Sequence, residues 1–279
     1  MPRLSIIVVT FNSAGHISTC LEALRAHPPR ASHEILVVDN ASTDDTQAIV
    51  ARDWPGVQLL QTGANLGFGV ATNRGIRATT SERLLLLNPD AAVTSGAVDT
   101  LMETLDRDER VAIAGPRIVD DTGRAELSFG PHIGPLAELT QKVRVAGHAR
   151  GWPVVAASVE RATTTPQFPD WVSGACWMAR RSALDAVGLF DERFFLYTED
   201  VDLCARVRTA GHRVAFVPAA VVRHVRGASR TTVAQAAAAQ AHYRRSQLAF
   251  YEKYHPRVAP LLRTYLMLKG ALPDTTTQQ

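Results

Sequence analysis

The sequence predicts an α/β fold: a Rossmann-like, mostly parallel central sheet with helices on both faces, followed by C-terminal helices. In the first third of the chain, short apolar runs rich in β-branched residues alternate with segments of helical period. The runs lack the polar alternation of half-exposed strands, and strands that are apolar on both sides are typical of parallel sheets covered by helices. Two helical segments divided by Pro256 end the chain.

The first half of the chain has the most regular pattern. Each apolar run is followed by polar or glycine-rich residues and then by apolar residues at helical spacing, which predicts repeated strand and helix units. The predicted strands cover 6–10, 35–38, 57–60 and 84–87, and the predicted helices cover 17–24, 42–50 and 66–78.

The second half is less regular. Residues 120–169 are rich in Gly, Pro, Thr and His and only weakly periodic, which predicts a long functional loop. The pattern then predicts strands at 171–178, 212–217 and 221–224 and helices at 182–187, 198–210, 232–254 and 257–269. We divide the chain into a main domain, 1–230, with halves at 1–115 and 116–230, and a helical extension, 231–279.

Composition and charge exclude several classes of protein. The chain has 30 Lys and Arg against 27 Asp and Glu, so no overall positive field indicates a nucleic-acid partner. Its three cysteines fit no metal or redox spacing, which favours the reducing cytoplasm. The first apolar run is too short for a signal peptide, and no window reaches the roughly 18 apolar residues of a membrane span. We expect a soluble cytoplasmic protein, or one bound peripherally at the inner face of the membrane.

Two polar segments follow the second and third predicted strands, where ligands bind in open α/β sheets. Asp39 is either a loop cap or an acceptor of hydrogen bonds from a base or a ribose. The glycine-rich segment 63–75 indicates either a phosphate-binding turn or a helix packed closely through small residues. Because it does not follow the first strand, as a dinucleotide fingerprint would, a dehydrogenase is disfavoured.

Asn88, Pro89 and Asp90 directly follow the strand at 84–87. The triplet is also an ordinary turn sequence. A carboxylate at this edge would suit Mg²⁺ or Mn²⁺, which prefer oxygen ligands and share them with a diphosphate. Such an ion would neutralise charge on a nucleoside-diphosphate leaving group.

Glu199 and Asp200 follow an aromatic segment, 190–197, that could exclude water. Acidic residues in a first helical turn can simply stabilise the helix. A carboxylate here could instead take the proton from a hydroxyl as it attacks an electrophilic carbon. His224 ends a predicted strand, and by itself it is more typical of a hydrogen-bonded side chain than of a ligand.

Together these segments resemble the family 2 glycosyltransferases with a GT-A fold, most of all the rhamnosyltransferase-type members of bacterial polysaccharide and cell-wall assembly. The matching segments are SIIVVTFNS (5–13), VVDNASTD (37–44), NLGFG (65–69) through Asn73, LNPD (87–90), WVSGA (171–175), GLFDERFF (188–195), YTEDVDL (197–203) and His224. They span about residues 4–230. The resemblance implies that 1–115 binds a nucleotide and that 116–230 binds the acceptor and carries catalysis.

The resemblance also implies a role for each matching residue. Asp200 corresponds to the general base, with Glu199 as the second choice. Asp90 corresponds to the last residue of the family's D-x-D metal motif, and His224 to a late histidine that completes the metal site in some members. The implied donor-binding residues are Thr10, Asn12, Asp39, Asn65, Gly67, Asn73, Asn88 and Gly174.

One position departs from the motif, because Asn88 stands where the first Asp of D-x-D belongs. A neutral side chain there predicts weaker metal affinity, and Asn88 could instead bond to a ribose hydroxyl. The resemblance implies a single displacement with inversion, in which Asp200 deprotonates the acceptor and metal-bound diphosphate leaves. It further implies a dTDP- or UDP-sugar donor, with rhamnose from dTDP-rhamnose favoured, and a glycan or lipid-linked acceptor.

Two other functions fit parts of the sequence. A sugar nucleotidyltransferase would share the Rossmann-like start, but it would need a glycine-rich basic loop where the chain has residues 10–13. A non-catalytic carbohydrate-binding domain would have lost the acidic positions, all of which are present.

The last predicted helix, 257–269, has one apolar face surrounded by basic residues. The face consists of Val258, Leu261, Leu262, Tyr265 and Leu266. Packing against the main domain is the more common use of such a face. The alternative is peripheral contact with a membrane that carries anionic headgroups.

Overall fold

A computed structural model describes residues 1–224 and 233–271 of the chain. Its strands are β1 (Leu4–Thr10), β2 (His33–Asp39), β3 (Gln58–Gln61), β4 (Arg83–Leu87), β5 (Ala91–Val93), β6 (Val111–Val119), β7 (Phe129–Gly130), β8 (Trp171–Val172), β9 (Cys176–Arg180) and β10 (Arg213–His224). Its helices are α1 (Ile17–Ala26), α2 (Thr46–Asp53), α3 (Phe68–Ala78), α4 (Ala97–Arg107), α5 (Pro135–Ala149), α6 (Pro153–Thr164), α7 (Arg181–Ala186), α8 (Glu199–Thr209), α9 (Val233–Tyr254) and α10 (Ala259–Leu268).

Eight strands form one sheet in the order β3-β2-β1-β4-β9-β6-β10-β5, and β7 and β8 form a separate pair. β1 runs parallel to β2 and β4, and β2 runs parallel to β3, which confirms the parallel arrangement predicted for the first half. β9 runs antiparallel to both β4 and β6. This strand makes the second half of the sheet mixed.

Helices cover both faces of the sheet. Alternate residues of β1 belong to different buried clusters: Ile6 and Val8 pack with α1 and α4, whereas Ile7 and Val9 pack with α3, α7 and α8. This alternation follows from the two-residue period of a strand. The apolar strands predicted from the sequence are therefore buried on both sides.

The predicted loop at 120–169 is wrong in part, because α5 and α6 lie within it. Their periodic signal is weak for a physical reason: within α5 only Gly147 is buried, so the helix shows no apolar face in the sequence. The predicted strand at 171–178 is interrupted at 173–175, and the two predicted strands after 211 form the single strand β10, with a register shift between Val217 and Val221.

The C-terminal helices pack on the main domain through a third buried cluster, which contains Phe194, Val201, Phe250, Tyr251 and Ala259. The fully buried Asp202 carboxylate also holds α9: Oδ1 accepts hydrogen bonds from Nζ of Lys253 at 2.6 Å and from the hydroxyl of Tyr254 at 2.8 Å. The predicted boundary at 230/231 and the predicted helix start at 232 lie outside the described residues, so the domain division stays a prediction. In the described part of the chain, no helix has the length and hydropathy needed to cross a membrane.

Candidate active site

The carboxyl ends of β1, β2 and β4 meet at one edge of the sheet, because these strands are parallel and adjacent. A cleft of about 310 Å³ lies at this edge, and we call it the strand-end cleft. Its lining includes the predicted site residues Asn12, Asn65, Gly67, Asn88 and Asp90, together with Phe11, His16, Asn40, Phe68, Phe195, Tyr197 and His242.

Asp39 is completely buried and does not line this cleft, although the next residue, Asn40, does. Oδ1 accepts hydrogen bonds from the hydroxyls of Thr10 (2.9 Å) and Ser42 (2.6 Å), and Oδ2 accepts them from the Ser42 backbone N–H (2.9 Å) and from Nε2 of Gln47 (2.7 Å). These donors satisfy both oxygens of the carboxylate and fix the loop after β2. The predicted helix start at 42 is wrong, because Ser42 bonds to Asp39 and α2 begins at Thr46.

Asn40 organises the glycine-rich segment, a role that sequence reasoning missed. Its Nδ2 donates to Oδ1 of Asn65 at 2.8 Å, and its Oδ1 accepts the backbone N–H of Leu66 at 3.0 Å. Asn65 Oδ1 also accepts the backbone N–H of Gly67 at 3.2 Å. The only sequence signal for Asn40 was its place next to Asp39.

Gly67 permits a close approach between two backbone segments. Its φ is +84°, a conformation that favours glycine, and a Cβ at this position would collide with the backbone of Phe195. The neighbouring Phe68 N–H donates to the carbonyl oxygen of Phe195 at 2.8 Å. The glycine-rich segment thus holds the loop before α8 in place beside the cleft.

Asn73, a predicted donor-binding residue, is completely buried and does not line the cleft. Its Oδ1 accepts the Phe190 N–H at 3.0 Å, while its Nδ2 donates to the Phe190 carbonyl at 3.0 Å and to Oε1 of Glu192 at 3.2 Å. The structure therefore assigns Asn73 to fastening the loop before α8 onto α3.

Asp90 and His224 come together across the pairing of β5 with β10. Ala91 is in register with His224, and Oδ1 of Asp90 lies 3.2 Å from Nε2 of His224. In the described ranges 1–224 and 233–271, no cluster of three or more His, Cys, Asp or Glu side chains could hold a metal. A divalent ion here would need further ligands from a diphosphate and water, which is how proteins commonly hold Mg²⁺. One carboxylate and one imidazole fit such a shared site.

Asp200 lies in the first turn of α8, and backbone N–H groups hold its carboxylate. Gly174 donates to Oδ2 and Val201 donates to Oδ1, both at 2.8 Å. Gly174, which the resemblance implies as a donor-binding residue, lies in the gap between β8 and β9, against Asp200. The adjoining Ala175 carbonyl accepts the Asn88 N–H at 2.9 Å. One short segment thus connects the end of β4 to the acidic turn.

Both acidic side chains in this turn have raised pKa values. Burial and the neighbouring Asp200 raise the pKa of Glu199 well above its ordinary value. Burial also raises the pKa of Asp200, against the opposing effect of the N–H groups of Gly174 and Val201. A carboxylate that binds a proton more readily is a better base near neutral pH.

A second cavity, of about 370 Å³, lies against these two carboxyl groups, and we call it the α8 cavity. Its lining includes Ser128, Glu138, Gln141, Lys142, Trp171, Ser173, Tyr197, Glu199, Asp200 and Tyr243. Tyr197 lines both the α8 cavity and the strand-end cleft. Tyr197 and Thr198 also have left-handed backbone angles, with φ of +73° and +62°. Strained residues of this kind cluster at functional sites. The two cavities therefore share a border at Tyr197.

Helix α9 contributes to both cavities, although the sequence placed it outside the main domain. His242 lines the strand-end cleft and stacks on Phe195 with ring centroids 4.5 Å apart, while Tyr243 lines the α8 cavity. No local pattern in the alanine-rich helix indicated these contacts. The three cysteines, Cys20, Cys176 and Cys204, are buried and free.

Comparison with known proteins identifies a sequence family, similar curated proteins and a solved structure with the same fold. Residues 5–188 match the model of glycosyl transferase family 2. The chain is 32% identical to the N-acetylglucosaminyl-diphospho-decaprenol L-rhamnosyltransferase of Mycobacterium tuberculosis, over 96% of this chain and 94% of the relative. It is 24% identical to the rhamnosyltransferase WbbL of Escherichia coli K12, over 77% of this chain and 80% of the relative. The mannosyltransferase PcManGT from Pyrobaculum calidifontis, solved with GDP-Man and Mn²⁺, has the same fold: it aligns with 98% of this chain and 72% of its own, at a TM-score of 0.60 and 20% identity.

Proposed function

The chain belongs to glycosyltransferase family 2, and we propose that it transfers rhamnose from dTDP-rhamnose to a hydroxyl of a lipid-linked glycan, with inversion and with a divalent metal. Membership of this family, together with the GT-A fold, makes it a glycosyltransferase. One observation carries the proposal for the donor, the metal and the base: the strand-end cleft and the α8 cavity share a border at Tyr197. Asp90, which is paired with His224, lines the strand-end cleft, and Asp200 lines the α8 cavity.

We assign the nucleotide-sugar to the strand-end cleft. Asn12, Asn65 and Asn88 offer amide groups there, and the adjoining Asp90 and His224 would hold the metal. When bound, the ion neutralises the charge that develops on the diphosphate leaving group. Mn²⁺ and a nucleotide-sugar in the PcManGT complex, which shares this fold, support the assignment. Asp39 and Thr10 are buried and bonded to each other, so their role in this proposal is to fix the ends of β1 and β2 beside the cleft.

In the proposed reaction, Asp200 accepts the proton of the acceptor hydroxyl. The hydroxyl oxygen forms a bond to the anomeric carbon, the bond from that carbon to the diphosphate oxygen breaks, and its electron pair leaves with the nucleoside diphosphate. Asp200 suits the role of base because burial raises its pKa and two N–H groups fix its orientation. One displacement of this kind inverts the anomeric configuration and needs no covalent intermediate.

The sugar and acceptor assignments rest on the relative from Mycobacterium tuberculosis, whose name specifies L-rhamnose and an N-acetylglucosaminyl diphospholipid. To test them, dTDP-rhamnose, UDP-sugars and GDP-sugars are compared by thermal shift with and without Mn²⁺, since a ligand of the native state raises its apparent stability. We expect dTDP-rhamnose with Mn²⁺ to give the largest shift and to support transfer to a short-chain N-acetylglucosaminyl diphospholipid. A larger shift and faster transfer with another donor would reject the rhamnose assignment.

A lipid-linked acceptor suggests that the enzyme works at the inner face of the membrane. The apolar face predicted for α10 divides in two: Leu266 is completely buried, whereas Leu261 and Tyr265 are 72% and 52% exposed. Leu268, which is not part of the predicted face, is 84% exposed, and we call Leu261, Tyr265 and Leu268 the exposed stripe. Helix α5, which lines the α8 cavity, also exposes Leu136 and Leu139. Exposed apolar side chains near basic residues favour an anionic interface.

Sedimentation with anionic vesicles tests this contact. The double variant Leu261→Glu with Leu268→Glu should lose vesicle binding, because it adds charge to the exposed stripe and leaves Leu266 in place. Thr264→Glu, an exposed change on the same helix, is the matched control. Equal vesicle binding by the wild type and the double variant would remove α10 from the membrane contact.

A further inference from the structure

Two residues that line the α8 cavity each have a buried polar atom with no hydrogen-bond partner among the described residues. They are Oγ of Ser128 and Oε2 of Glu199, whose residues are only 3% and 6% exposed. Buried polar groups in folded proteins nearly always have a partner, so these two atoms are positions where a water or a ligand bound in the cavity can supply one. A hydroxyl can both donate and accept such a bond.

An aromatic side chain in a fixed orientation forms another part of the wall. Nε1 of Trp171 donates to the carbonyl oxygen of Pro131 at 2.8 Å, and the indole packs so closely on Gly130 that a Cβ there would lie 2.9 Å from Cζ2. The ring is thus held before any ligand binds. An aromatic face next to unpaired polar atoms suits a molecule that has one apolar face and a rim of hydroxyl groups.

We propose that the α8 cavity binds the acceptor's sugar ring, with Trp171 against the ring face and with Ser128 and Glu199 bonded to the polar groups that flank the attacking hydroxyl. This inference rests on the transferase function proposed above. Asp200 lines the same cavity, next to Glu199 in the chain, so a ring bound in this way presents a hydroxyl to the base. At about 370 Å³ the cavity is near the lower end of small-molecule sites, which is enough room for one sugar ring.

Ser128→Ala tests the site with little risk to folding, because the hydroxyl that it removes has no partner within the described chain. The probe is N-acetylglucosaminyl diphosphate esterified to a short prenyl alcohol, and its binding is measured by calorimetry in the presence of dTDP, without turnover. One lost hydrogen bond should weaken its binding about three- to tenfold. The thermal midpoint and the affinity for dTDP-rhamnose should stay at wild-type values.

Ser173→Ala is the matched control. Ser173 lines the same cavity, but its Oγ already accepts the Ala175 N–H at 3.3 Å. We expect its effect on probe binding to be smaller than that of Ser128→Ala. Equal probe binding by the wild type and Ser128→Ala would overturn the inference, and so would weaker dTDP-rhamnose binding, which would make this cavity part of the donor site. Failure of the proposed function is a different result: the wild type binds the probe but transfers no rhamnose to it.

Discussion

The backbone N–H of Gly174 donates a 2.8 Å hydrogen bond to Oδ2 of Asp200, at a point where the main chain passes between two short strands. The next residue, Ala175, accepts the N–H of Asn88 at the end of β4. The acidic turn of α8 is thus connected to the end of β4, two residues before Asp90, through two adjacent peptide groups. This connection fixes the position of the Asp200 carboxylate relative to the end of β4.

The first prediction concerns the pH profile. The base must be ionised to act, and burial raises the pKa of Asp200, so activity should fall as pH decreases, with an acid limb of kcat/KM above the ordinary Asp pKa of about 3.9. Rates measured from pH 4 to 8 with a saturating metal concentration would locate the limb. If Glu199→Gln removes the limb, Glu199 is the base instead.

The second prediction concerns stability. In the unfolded chain Glu199 ionises near its ordinary pKa of about 4.3, whereas in the folded protein burial and Asp200 raise its pKa. The folded state therefore loses stability as pH rises above the unfolded value. Glu199→Gln has no such proton to lose. The thermal midpoint of the variant, relative to that of the wild type, should therefore rise as pH increases from 4 to 8. A difference that is constant across this range would contradict the raised pKa.

The third prediction concerns the metal. Asp90→Ala should weaken dTDP-rhamnose binding and abolish its response to Mn²⁺, because the Asp90–His224 pair would lose its carboxylate. Titration of the donor with and without Mn²⁺ measures both effects. Asp45→Ala, an exposed acidic residue at the start of α2, controls for the loss of charge. A full response to Mn²⁺ in Asp90→Ala would eliminate Asp90 as a ligand.

The fourth prediction separates support from donor contact. Asn73→Ala removes two buried hydrogen bonds to Phe190 and a partly buried one to Glu192. It should cost about 1–3 kcal/mol of unfolding free energy, because it leaves the buried backbone groups of Phe190 unpaired. Donor affinity should change little in the folded variant. Denaturant unfolding and donor titration test the two parts. A large loss of donor affinity at unchanged stability would restore Asn73 to the donor site.

The sheet could be predicted from the sequence because its first strands are continuous apolar runs. Residues 6–9 of β1 pack against helices on both faces of the sheet, so their burial is visible in the sequence as a continuous apolar run. The helices α5 and α6 left no such pattern, because they bury few of their residues. Strand β9 lies between two neighbours in the opposite direction, an arrangement that depends on contacts distant in sequence.

The site was predictable where it depends on residue type and position after a strand. The structure does bring Asp90 to His224, which are far apart in sequence but adjacent across β5 and β10. The support network was not predictable. Asp39 and Asn73 are buried and bond to neighbouring loops instead of lining a cavity. Tyr243 and His242 line the two cavities only because α9 packs across the loop before α8. Such roles arise from tertiary packing, which local patterns do not record.

In the proposed reaction Asp200 takes the acceptor proton during transfer, and the variant Asp200→Asn shows whether it does. The amide keeps the shape of the side chain and removes its basicity. We predict that kcat for rhamnose transfer falls by about 100-fold or more, while the Kd for dTDP-rhamnose stays at the wild-type value, because a base acts in the transition state and contributes little to donor binding. A variant that keeps more than about a tenth of the wild-type kcat would contradict the assignment of Asp200 as the base.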